Sequence, residues 1–78
     1  MPELSRRAEK DLASLPEALQ EKARAIIVRL EAEPALGKKL LGPLAGKRSI
    51  WLGRSHRIIY QNDPILVLAI TPRRDAYR

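Results

Sequence analysis

The chain has 78 residues, 45% of them apolar and 31% charged, with no cysteine, one histidine and a formal net charge of +6. These values exclude a disulfide frame, a thiolate metal site and a multi-histidine zinc site, and they fit one small domain over residues 1–78 that buries only about 60% of its unfolded surface. No apolar run approaches the roughly 18 residues of a membrane span, and the N-terminus MPELSRRAEK does not read as a signal peptide, so a cytoplasmic protein off the membrane is expected.

The charge is divided unevenly along the chain. Residues 1–36 hold six Lys/Arg against seven Asp/Glu, net −1, and residues 37–78 hold nine against two, net +7. An anionic partner for the second half follows, either nucleic acid or an acidic protein segment.

In chain order, Met1–Leu4 is long enough only for a fragment of strand. From Ser5, SRRAEKDLASL predicts a short helix, with Ser5 as cap and Ala8, Leu12 and Leu15 at helical spacing. Ser14-Leu15-Pro16-Glu17 has capping-box spacing and predicts a second helix, with Pro16 in its first turn. Leu19, Ala23, Ile26, Ile27 and Leu30 form its apolar stripe, and Pro34 stops it. Residues Ala35–Gly46, rich in glycine, read as a loop with a helical turn around Leu36–Leu41. Leu40, Leu41 and Leu44 are apolar enough to pack that loop down, whereas Lys38 and Lys39 read as solvated.

Three strands follow: Arg48–Leu52, His56–Gln61 and Ile65–Thr71, separated by turns at Gly53-Arg54-Ser55 and Asn62-Asp63-Pro64. Period-two alternation puts Ile50, Leu52, Ile58 and Tyr60 toward the helices, and Ser49, Trp51, Arg57, Ile59 and Gln61 on the uncovered face. The expected fold is α+β: a two-layer βααβββ sandwich with a small antiparallel sheet and an N-terminal helical hairpin on one face.

Paired carboxylates, a phosphate loop and a nucleophile–His–Asp set are all missing. What remains is guanidinium, phenol, imidazole and indole. Such a set suffices for RNA, whose own 2′-hydroxyl attacks the adjacent phosphorus while the protein aligns the phosphate, neutralises charge and moves two protons. Arg57, Arg73 and Arg74 suit the charge role through their fork of donors. Trp51, alone of its kind, suits stacking on a base. Lys47, Arg48, Arg54 and His56 complete the candidate RNA-binding set, although alternation groups His56 with the helix-facing residues. Tyr77 stands next to the chain end.

These residues form a pattern: Lys10-Asp11-Leu12, Leu15-Pro16, Leu44 and Gly46, Ile50 and Leu52, then His56-Arg57-Ile58-Ile59-Tyr60 and Pro72-Arg73-Arg74-Asp75-Ala76-Tyr77-Arg78. It resembles the RelE/ParE superfamily of toxins from type II toxin–antitoxin modules, most nearly the RelE branch. The resemblance implies a βααβββ fold and an mRNA endonuclease working in the ribosomal A site without metal or cofactor, leaving a 2′,3′-cyclic phosphate. It also implies neutralisation by an acidic antitoxin. Arg57 matches the strand arginine on the scissile phosphate, Arg73 or Arg74 the arginine after the last strand, and Tyr77 the C-terminal tyrosine. Two lysines typical of that branch fall here at about Ser49 and Trp51, and a histidine found in many relatives is here Pro72. Two other readings stay open: a ParE-like inhibitor of DNA gyrase, and a relic that only binds antitoxin.

Overall fold

The computed structural model describes residues 2–40, 42, 46–62 and 64–73. Helix α1 spans Arg6–Ser14 and helix α2 spans Glu17–Ala32; the strands are β1 Glu3–Leu4, β2 Lys38–Lys39, β3 Lys47–Leu52, β4 His56–Gln61 and β5 Leu66–Pro72. They form one sheet in the order β1-β5-β4-β3-β2, with β1 parallel to β5 and the other pairs antiparallel. The α+β architecture, with helices on one side, is as expected. The sheet is mixed and one strand larger than the antiparallel sheet read from sequence.

Helix α1 starts where Ser5 Oγ accepts the Ala8 amide at 3.0 Å, satisfying one of the helix's orphan donors. Its stripe, Ala8 and Leu12, is buried. The capping box expected at Ser14 does not form. Ser14 lies inside the last turn of α1 and donates its hydroxyl to Lys10 O at 3.0 Å. Pro16, at the N-cap of α2 rather than inside the helix, makes no side-chain cap. The corner is tied from the other side: Gln20 Nε2 donates to Ala13 O and Leu15 O, at 3.2 and 2.9 Å, closing the C-terminal carbonyls of α1. Helix α2 buries Ala23, Ile27 and Leu30 one turn apart, and Leu12, Ile27, Leu30, Leu52, Ile58, Tyr60, Val67 and Ile70 are among the residues of one core. Each buried Leu or Ile there contributes about 1.5–3 kcal/mol.

Strand β5 has a partner on its outer edge only as far as Val67, because β1 is two residues long. Beyond it, Ser5 and Asp11 of the α1 segment bond the edge. The Ser5 amide donates to Val67 O at 2.8 Å, Ser5 Oγ donates to Leu68 O at 2.7 Å, and Asp11 Oδ2 accepts the Ile70 amide at 2.9 Å. That is a physical reason for Asp11 in the Lys10-Asp11-Leu12 segment: it finishes a sheet edge.

The stretch read as loop with a helical turn contains β2 instead. Tyr60, fully buried, accepts the Gly37 amide and donates to Pro34 O, both at 2.9 Å. Arg48 Nη1 donates to Gly37 O at 2.9 Å. A Cβ at Gly37 would lie 2.6 Å from Ser49 O and 2.9 Å from the Tyr60 ring, so only glycine lets the backbone come this close. Held at residue 37, the chain enters the sheet edge and Lys38 pairs with Ser49, Lys39 with Arg48. Leu40 is half-buried, while Leu41, Leu44 and Asp63 lie outside the described residues.

Candidate functional site

Paired residues on neighbouring antiparallel strands share a face of the sheet. Trp51 pairs with Arg57, and Arg57 with Thr71; Ser49 pairs with Ile59, and Ile59 with Ala69. These two rows lie on the face away from the helices. Ile58, Tyr60, Val67 and Ile70 alternate with them into the core. Of the open-face rows, Ser49, Ala69 and Thr71 are buried and Trp51 is 40% exposed. Small side chains therefore lie between larger ones that project. A β-bulge at Ile59/Tyr60 passes over Leu68, which lets both Val67 and Ile70 face the helices.

Around the indole, cations gather. The Arg57 guanidinium carbon is 4.6 Å from the Trp51 ring centroid and that of Arg73 is 5.8 Å away, both within the range of a cation–π contact. Arg73 reaches this place because its amide donates to Ser55 O at 2.7 Å, fixing the chain after β5 to the β3–β4 turn. That turn is opened by Gly53 at φ 60°, a left-handed conformation natural to glycine. Trp51, Gly53, Arg54 and Arg73 enclose a shallow depression of about 360 Å³. Strands β3, β4 and β5 contain no Asp or Glu, so the strands themselves set no carboxylate beside these guanidiniums.

Of the residues expected to form a site, Trp51, Arg54, Arg57 and Arg73 come together. Lys47 is on the same face, but one row beyond Ser49 and about 13 Å along β3 from Trp51. Arg48 is on the opposite face and is engaged by Gly37 O. His56 also falls on the helix-side parity, paired with Leu52 and Pro72, and its Nδ1 lies 2.7 Å from Ser55 Oγ in the turn. Neither joins the arginine–tryptophan cluster. Arg74 and Tyr77 lie outside the described residues. Among the described residues, no three of His, Cys, Asp and Glu are grouped as metal ligands.

Two residues of this face went unread in the sequence. Lys38, read as a solvated loop residue, is exposed as expected but lies on β2, where it lines a second depression of about 490 Å³ with Ser49, Trp51 and Arg57. A two-residue strand has no periodicity to betray it. Thr71 Oγ1 is buried with no hydrogen-bond partner among the described residues. Its place beside Arg57 depends on the register of β5, which an all-apolar run conceals.

A helix pair thus covers one side of a small mixed sheet, and arginines gather on an indole on the other. Residues 3–77 match the family of ParE toxins of type II toxin–antitoxin systems, parDE, and the chain belongs to that family. Solved structures agree in fold. The toxin–antitoxin complex RelBE2 from Mycobacterium tuberculosis contains a chain 26% identical, with 94% of this chain and 96% of that chain covered and a TM-score of 0.82. The YoeB/ParE toxin from Agrobacterium tumefaciens is 19% identical over 94% and 99%, with a TM-score of 0.80. The intact E. coli RelBE toxin–antitoxin complex gives 20% identity over 91% and 93%, with a TM-score of 0.75. No curated protein sequence matches the chain.

Proposed function

We propose that this toxin is an endoribonuclease that cuts mRNA in the ribosomal A site and is silenced by an acidic antitoxin. The observation that carries this reading is the pair of guanidiniums, Arg57 and Arg73, held on the Trp51 ring on the open sheet face. A phosphodiester laid there meets two planar donor forks where the transition state gains negative charge. In the reaction the RNA 2′-oxygen bonds to phosphorus and the bond to the 5′-oxygen breaks, giving a 2′,3′-cyclic phosphate and a 5′-hydroxyl. One proton leaves the 2′-hydroxyl and one reaches the 5′-oxygen. Tyr77 is the side chain we assign to proton transfer, with Arg74 as a further cation for the phosphate. A phenol needs neighbouring cations to work as a base near pH 7, and Arg73, Arg74 and Arg78 stand within four residues of Tyr77 in the chain.

Two solved relatives are toxin–antitoxin complexes, which supports an antitoxin partner here. Residues 37–78 carry net +7, so an acidic segment laid across Arg54, Arg57 and Arg73 occupies the surface that RNA phosphates need.

A second reading is inhibition of DNA gyrase. It is favoured by the match to the ParE family and by Ser49 and Trp51 standing where the RelE branch has lysines. Cleavage of mRNA on programmed ribosomes, followed by primer extension and run beside a supercoiling assay, separates the two. Parent protein should give discrete mRNA cuts and leave supercoiling alone. Arg57→Ala, folded by circular dichroism, should lose the cuts and the growth inhibition. Gyrase inhibition without cuts would refute the ribonuclease reading, and antitoxin binding with neither activity would mark a relic.

A further inference from the structure

The open face carries a cation on a strand that the sequence hides. Lys38 pairs with Ser49, which places it on the Trp51 and Arg57 side of the sheet, while Lys39 pairs with Arg48 and belongs to the other side. The placement is built. Buried Tyr60 grips the Gly37 amide, Arg48 grips the Gly37 carbonyl, and the missing side chain of Gly37 lets it sit against Ser49 O. Three contacts on the preceding residue therefore deliver Lys38 to the rim of the depression it shares with Ser49, Trp51 and Arg57.

Backbone spacing gives the geometry across that depression. Lys38 and Arg57 flank β3 from opposite sides, two strand spacings apart laterally and one side-chain repeat apart lengthwise, about 12 Å in all. The two side chains line opposite walls of that depression, across Ser49 and Trp51. Neighbouring phosphates of one strand lying along it meet a guanidinium at one wall and an ammonium at the other. Ser49 brings a hydroxyl where a lysine on β3 would have brought charge, so the cation on this part of the face comes from the neighbouring strand.

We infer that Lys38 forms a second phosphate-binding position, for the phosphodiester next to the one engaged by Arg57, so that the face tracks a single RNA strand from Arg57 toward β2. The inference rests on the ribonuclease reading. It assigns to β2 a role in holding RNA rather than in finishing the sheet. A lysine suits this position, since a point charge on a flexible stem holds a flanking phosphate without dictating its orientation.

The test uses full-length toxin and ribosomes programmed with an mRNA whose A-site nucleotides carry 2′-deoxy substitutions, which bind without being cut. Affinity is measured between 50 and 200 mM salt for the parent, Lys38→Ala, Lys38→Arg, Lys39→Ala and Arg57→Ala. Lys38→Ala should weaken binding about tenfold and lower the slope of log K against log salt by about 0.7, the share of one phosphate on a single strand. Lys38→Arg should restore both. Lys39→Ala removes the same charge one residue away on the other side, and should leave both near the parent. Equal behaviour of Lys38→Ala and Lys39→Ala, with Arg57→Ala still defective, overturns the Lys38 position and leaves the ribonuclease reading intact. An Arg57→Ala protein that binds like the parent overturns the ribonuclease reading itself. Loss of antitoxin affinity in Lys38→Ala, with RNA binding unchanged, gives Lys38 to the protein partner and overturns the inference.

Discussion

Tyr60→Phe is the sharpest single-atom perturbation this fold offers. The ring is fully buried and phenylalanine fills the same space, so what is lost is one hydroxyl and its two bonds, to the Gly37 amide and to Pro34 O. Gly37 is itself buried, and its N–H, without the phenol, has no water to turn to. Leaving a buried donor unsatisfied costs about 1–3 kcal/mol, and the lost bond to the half-buried Pro34 carbonyl adds about 0.5–1.5. The sum, about 2–4 kcal/mol, is a large part of the roughly 4–12 kcal/mol expected for a domain of this length. At about 4–8 °C per kcal/mol, the thermal midpoint should fall by about 8–32 °C. Melting followed by far-ultraviolet circular dichroism reads this directly. Because the same hydroxyl seats β2, RNA affinity should fall even at temperatures where the variant is fully folded, and in the direction of Lys38→Ala. A midpoint within about 3 °C of the parent would refute the argument, since it would mean that the hydroxyl carries neither bond in solution.

Two further substitutions probe the site and the sheet edge. Trp51→Leu should loosen Arg57 and Arg73 and weaken RNA binding about three- to tenfold, from two partly exposed cation–π contacts; Trp51→Phe should fall between leucine and the parent, and equal losses for the two variants would reduce the ring to an apolar cover. Asp11→Ala should cost about 1–3 kcal/mol in chemical denaturation by stranding the Ile70 amide, whereas Asp11→Asn keeps an acceptor oxygen and most of that stability; equal losses from the two changes would point to the carboxylate charge and its 3.5 Å contact with Arg7 instead.

How much of this was legible in the sequence depended on the length of the signal. Helix α2 has 16 residues and an apolar residue on every turn of its buried side, and both helices were placed within a residue or two. Strands β3 and β4 alternate cleanly, so Ile58 and Tyr60 could be put inside and Trp51 and Arg57 outside by parity alone. Shorter or uniform stretches concealed their structure. Two residues cannot show alternation, so β2 read as loop, and Lys38, rightly read as exposed, could not be given a face. An unbroken apolar run cannot show its bulge, so the place of Thr71 was not resolved. Ser14 met the spacing of a capping box, yet its hydroxyl was already committed to Lys10 O inside α1. Tyr60 was rightly assigned to the core, but the use of its hydroxyl depends on partners 23 and 26 residues earlier in the chain, beyond any local pattern. In the site, Arg57, Arg73 and Trp51 were legible as residue types, while the contact that gathers them required the tie from Arg73 to Ser55.

The same strands carry both the fold and the site, and parity keeps the two demands apart. Along β4, Ile58 and Tyr60 are sealed among the helices while Arg57 and Ile59 face the other way. A charge at 57 can therefore change without opening the core, and a core residue can change without moving charge. The exceptions are Tyr60 and Arg48, which stand on the helix-side parity yet reach around the sheet edge to Gly37. Through them a buried phenol and a tethered guanidinium govern where β2, and with it Lys38, lies on the open face. The N-terminal half plays the matching part at the opposite edge, where Ser5 and Asp11 finish β5. It contributes no cation to the cluster around Trp51, although it holds six of the 15 Lys/Arg residues. Its acids balance its own bases, so it adds little to the field that steers an anionic partner. The consequence is directional: residues 37–78 carry net +7 against −1 for residues 1–36, so the field draws an anionic partner toward the C-terminal half. On the proposed ribonuclease function, competition between RNA and an acidic antitoxin for one face is then the simplest way to silence the toxin without altering its fold.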